Sequence, residues 1–109
     1  MRLGLYGGSF DPVHRGHVAP VDEAAAAIGL DRVIYLPTAD PPHKPPRTVA
    51  AHRRFAMVEL ALLDRPNFLV SDFELTPGRA AFTVNTVRHF GEMHPEAELF
   101  LLLGSDSFV

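Results

Sequence analysis

LGLYGGSFDPVHRGH, residues 3–17, runs from an apolar stretch into a turn that carries Gly7, Gly8, His14, Gly16 and His17. Leu3 to Tyr6 read as a β-strand ending at Gly7-Gly8, and about Gly16 to Ile28 read as the helix that follows. Val18, Val21, Ala25 and Ile28 are spaced for one face of that helix, and Gly29 is a natural stop. Pro20 is acceptable because it falls in the first turn, where its missing N–H would have no intrahelical partner. A strand that hands over to a helix through glycines is the opening of an α/β unit, and the rest of the chain repeats the alternation.

Val33 to Leu36 read as a second buried strand closed by Pro37. A loop follows over residues 37–48, which hold Pro37, Pro41, Pro42, Pro45 and Pro46. The next helix is expected from about Ala50 to Leu63, with Phe55, Val58 and Leu62 on its inner face and Arg65-Pro66-Asn67 breaking it. Phe68 opens a third strand reaching Leu75, ended by Thr76-Pro77-Gly78. Residues 82–94 have mixed propensity and are assigned to a helix, because a crossover is needed before the last strand, Leu99 to Leu103. Gly104-Ser105-Asp106 come next. Alternating strands and helices predict an α/β fold: a Rossmann-like, doubly wound parallel sheet. Residues 1–109 are expected to be the N-terminal portion of such a domain, incomplete at its C-terminus, since a four-stranded sheet would leave its last strand uncovered.

The bulk numbers agree with one globular domain of 109 residues, 47% hydrophobic and 21% charged. With no cysteine the chain has neither disulfides nor thiolate metal sites, and no leader-like N-terminus is seen, which fits a cytoplasmic location. A formal charge of −3 gives no reason to expect a nucleic-acid polymer, and no run of about eighteen apolar residues exists to enter a membrane. The oligomeric state is not legible.

Ligands of open parallel sheets collect beyond the carboxyl ends of the strands. Glycines there let backbone N–H groups approach an anion, and the start of the following helix adds orphan donors and a partial positive charge. His14 and His17, three apart, fall on one side of the first turn and are spaced to address one phosphate. A purely structural turn is the bland alternative. A zinc clip is a third, but neither a further ligand nor a glutamate between the histidines supports it. Asp11-Pro12 reads as a turn that shapes the loop. His52, His89 and His94 read as surface residues, and Arg53 and Arg54 as the solvated face of their helix.

GGSFDPVHRGH resembles the signature of the nucleotidyltransferase superfamily marked by a His-x-Gly-His element. Asp40-Pro41-Pro42-His43-Lys44, with Leu5-Tyr6-Gly7-Gly8, narrows the resemblance to the bacterial nicotinate-nucleotide adenylyltransferases. Ala81-Phe82-Thr83 and Gly104-Ser105-Asp106-Ser107 fall where that family has its aromatic-Thr and Gly-x-Asp-Ser elements, so the resemblance covers the whole chain in order. It implies transfer of the adenylyl group of ATP to nicotinate mononucleotide, with Mg²⁺ assisting, on the route to NAD.

The resemblance further implies that His14 and His17 contact the ATP phosphates and that Lys44 reaches the reacting groups. Gly7, Gly8, Ser9 and Phe10 would offer backbone N–H groups, and Asp106 would accept hydrogen bonds from a ribose. Phe82 and Thr83 would lie near the nicotinate ring, and no protein-held metal site is implied. One departure stands out. The family's second signature, an Ile-Ser-Ser/Thr-x-x-Ile-Arg element that holds the ATP phosphates, does not occur in these residues. Two other readings therefore stay open: a related transferase acting on another phosphorylated acceptor, and a nucleotide-binding fragment without turnover.

Overall fold

A computed structural model describes residues 1–8, 10, 13, 15–38, 50–75 and 84–102. Among the described residues, four strands form one parallel sheet: β1 (Arg2–Gly8), β2 (Arg32–Pro37), β3 (Phe68–Val70) and β4 (Glu98–Leu102), in the order β3-β2-β1-β4. The described residues between them form the helices α1 (Ala19–Ile28), α2 (Ala51–Ala61) and α3 (Val84–Met93). The α/β class and the parallel sheet stand as expected. Among the described residues, no helix is long and apolar enough to cross a membrane.

Strand parity separates two cores, because successive side chains of a strand point to opposite faces. On one face Tyr6, Val33 and Tyr35 pack with Phe10, with Val21 of α1, and with Val58 and Leu62 from α2 and its end. On the other face Leu3, Leu5, Ile34 and Leu36 pack with Phe90 of α3. Helices therefore cover both faces, as a doubly wound sheet requires. β1 is the centre of the assembly. It pairs with β2 from Leu3↔Arg32 to Gly8↔Pro37, and with β4 from Arg2↔Glu98 to Tyr6↔Leu102.

Several boundaries differ from expectation. β1 runs on through Gly7 and Gly8, which pair with Leu36 and Pro37 instead of forming the turn. The helical start near Gly16 is a 3-10 turn over Arg15–His17, and α1 proper begins at Ala19 with a proline in its first positions. Gly29 closes α1 in the left-handed region at φ 77°, and its N–H donates to the Ala25 carbonyl. The third strand does not reach Leu75. After Val70 the Ser71 hydroxyl accepts the Phe73 N–H at 3.2 Å, and Phe73–Leu75 wind into a 3-10 turn. A side-chain turn of this kind competes with strand pairing and carries no glycine or proline to announce it. Residues 84–93 are helical, as assigned.

Among the described residues β3 and β4 lie at the edges of the sheet, and neither is buried like β1 and β2. Leu69 is 43% and Leu101 50% exposed. Arg54 is a further correction. It is fully buried, because positions 54, 58 and 62 share the inner face of α2.

Candidate functional site

The carboxyl ends of β1 and β2 meet in register at Gly8↔Pro37, and the Thr38 N–H donates to the Gly8 carbonyl at 3.0 Å. β1 is followed by β2 on one side, while the chain returns to β4 on the other. The topological switch point of the sheet therefore lies between β1 and β4, where an open parallel sheet has its natural ligand crevice. Gly7 and Gly8, the last residues of β1, stand at the carboxyl end of the strand that borders this switch point.

A cluster of rings supports this end of β1. Phe10 is 1% exposed and stands edge-on to Tyr6 at 5.3 Å between ring centres. Tyr35 lies 5.2 Å from Tyr6 and 5.5 Å from Phe10. Phe10 adopts φ 47°, a left-handed conformation that a residue with a bulky side chain takes at a penalty of roughly 1–2 kcal/mol. Burial of its ring holds it there. Gly8 makes room, since a Cβ at that position would meet the Phe10 ring at 3.3 Å.

His17 is seated against the same cluster. Its ring is edge-on to Phe10 at 5.0 Å and tilted over Tyr6 at 6.5 Å, and the residue is 7% exposed. The Tyr35 hydroxyl donates to the His17 backbone carbonyl. Burial, first, and the neighbouring Tyr6, second, push the Tyr35 phenol above its ordinary range, so it stays a neutral donor. Beyond His17, no side chain among the described residues caps the start of α1. The helix is anchored instead by Asp22, whose carboxylate accepts bonds from the Arg65 guanidinium at 2.7 to 3.1 Å. Those bonds hold the Asp22 carboxyl below the usual carboxylate range.

Residues 5–109 match the cytidylyltransferase-like family. The chain belongs to that family. A Pelobacter propionicus protein named "probable nicotinate-nucleotide adenylyltransferase" is 44% identical over all of this chain and 51% of its own length. Relatives of the same name from Neisseria meningitidis and Thermus thermophilus are 44% and 42% identical, with 55% and 58% of their lengths covered. The chain spans about half the length of these curated relatives. The solved structure of Plasmodium falciparum nicotinic acid mononucleotide adenylyltransferase complexed with NaAD superposes with a TM-score of 0.77. It does so over 96% of this chain and 52% of its own, at 21% identity, a likeness of fold.

Within this cytidylyltransferase-like sheet, Gly7, Gly8, Phe10 and His17 gather at the carboxyl end of β1. Ser9, His14, Lys44, Phe82, Thr83 and Asp106 lie outside the described residues. Among the described residues, no group of three histidine or acidic side chains could hold a metal ion. Sequence reading assigned Phe10 by its backbone and missed its ring, which fills the core behind the site. It missed Tyr35 as well, although parity with Val33 places that side chain on the Tyr6 face. Buried Glu74 and Thr86 were also missed; the Thr86 hydroxyl donates to the Glu74 carboxylate and ties α3 to the turn after β3. His89 is half-buried and stacks on Phe73 at 4.1 Å, so it is no free surface histidine.

Proposed function

We propose that this chain carries the nucleotide-binding portion of an enzyme that joins ATP and nicotinate mononucleotide into nicotinate adenine dinucleotide, releasing pyrophosphate. The observation that carries the reading is the seating of His17 on the Phe10 ring that Gly8 makes room for, at the carboxyl end of the strand next to the switch point. The names of the relatives supply the acceptor.

In the reaction a phosphate oxygen of nicotinate mononucleotide attacks the α-phosphorus of ATP. A new P–O bond forms, the bond from the α-phosphorus to the bridging oxygen breaks, and its electron pair leaves with pyrophosphate. The attacking phosphate is already anionic, so no protein base or nucleophile is required. The protein's task is to position the two phosphates and to offset charge at the transferred group. His14 and His17 would donate to the ATP phosphates, with Lys44 reaching the reacting groups. Backbone N–H groups of Gly7, Gly8, Ser9 and Phe10 would line the cradle. Asp106 would accept from a ribose, and Phe82 and Thr83 would border the nicotinate ring. Mg²⁺ would enter as the companion of the ATP phosphates. The expected setting is the cytoplasm.

The test is direct. Purified protein is mixed with ATP, Mg²⁺ and either nicotinate mononucleotide or phosphopantetheine, and dinucleotide and pyrophosphate are measured. Product with the first acceptor alone is expected, and His17→Ala should lower kcat about 100-fold. Pyrophosphate release indifferent to the acceptor, or an undiminished His17→Ala variant, would refute the reading.

A further inference from the structure

Tyr35 sits in β2, which is laddered on both sides, to β1 and to β3. It is fully buried, and its ring is enclosed by Tyr6 at 5.2 Å, Phe10 at 5.5 Å and Phe68 at 6.0 Å. A phenylalanine would fill the same space without a polar atom to satisfy. A buried hydroxyl is unfavourable unless it is hydrogen-bonded, and this one has its partner, the His17 carbonyl. That carbonyl ends the 3-10 turn Arg15–His17, a segment of three residues with little regular structure of its own to hold it. The imidazole of the same residue rests edge-on against Phe10 at 5.0 Å. His17 is thus fixed at two points, its backbone by Tyr35 and its ring by Phe10.

Building on the phosphate role proposed for His17, we infer that Tyr35 is a positioning residue: through its hydroxyl it sets where the His17 imidazole stands relative to the transferred phosphoryl group. A donor used in the transition state loses much of its effect when displaced by about 1 Å, whereas ground-state binding spread over many contacts tolerates such a shift. The hydroxyl therefore acts on kcat.

The experiment is a double-mutant cycle on the intact protein, with kcat and both KM values measured for wild type, Tyr35→Phe, His17→Ala and the double variant. Tyr35→Phe keeps the ring, and so the packing. It is expected to lower kcat about five- to tenfold with KM for both substrates changed less than about twofold. In the His17→Ala background the same substitution should change kcat by less than about 1.5-fold, because nothing remains for it to position. Equal fold losses in the two backgrounds, or a raised KM at constant kcat, would overturn the inference while leaving the role of His17 intact. A His17→Ala variant with wild-type kcat overturns the phosphate reading and this inference together. A second readout needs no turnover. In ¹⁵N-edited imidazole spectra of the substrate-free protein, Tyr35→Phe should shift or broaden the His17 ring signals and leave those of exposed His52 in place; an unmoved His17 overturns the proposal.

Discussion

Replacing Phe10 separates the two terms that its conformation sets against each other. The side chain is 1% exposed and contacts the rings of Tyr6, His17 and Tyr35. A buried aromatic ring removes about 150–250 Å² from water, worth about 4–6 kcal/mol at 25 cal/mol per Å². Compactness of the unfolded chain trims this to about 3–5 kcal/mol for Phe10→Ala. Alanine keeps a Cβ in the left-handed region at φ 47°, so the strain persists. Glycine loses the same ring but removes the strain, returning roughly 1 kcal/mol. Phe10→Gly should therefore be the more stable of the two variants, reversing the order usual in regular structure. For a domain of this size the gap corresponds to about 4–8 °C in Tm. Thermal and urea unfolding followed by circular dichroism would measure it. Phe10→Gly melting at or below Phe10→Ala would refute the idea that burial holds Phe10 in a strained backbone.

Gly29→Ala should destabilise by about 1 kcal/mol, since its left-handed φ of 77° penalises any Cβ although the added carbon would meet Arg2 Nη1 only at an ordinary 3.8 Å; Gly29→Asn should recover part of the loss in the same unfolding assay. Leu5→Ala, in the fully buried centre of the α3-side core, should lower stability by about 2–5 kcal/mol in urea. Asp22→Asn should lower the Tm at neutral pH. Because the folded carboxyl titrates below its ordinary value of 3.8, the contribution it makes is present above that value and fades as pH falls through the lower, folded one. The Tm difference between wild type and variant should thus be constant from about pH 7 to 5 and close below about pH 4; a difference that persists under acid conditions would show that the Arg65 ion pair is not its source.

What could be read in advance follows from how local each determinant is. Leu3 to Tyr6 and Val33 to Leu36 are apolar runs closed by glycine or proline, and both emerged as central strands. Gly29 announced the end of α1 because only a residue without Cβ takes that conformation readily. Phe68 to Leu75 misled, since the turn after Val70 is made by a serine hydroxyl within an otherwise strand-like run. The pattern of apolar residues could not reveal Arg54 as buried, although its spacing from Val58 and Leu62 was available. At the candidate site, His17 and the glycines carried their own signal in the motif. Tyr35 did not, because its relation to His17 exists only after Tyr6 pairs with Tyr35 across two strands.

The middle place of β1 also bears on how the protein comes to be folded. Arg2 is synthesised well before its β4 partner, Glu98. Until β4 is made, one flank of β1 lacks that neighbour, and the flank that waits is the one at the switch point. Non-local closure of this sort slows folding and leaves a sticky edge open to other chains, a gap that chaperones exist to shield.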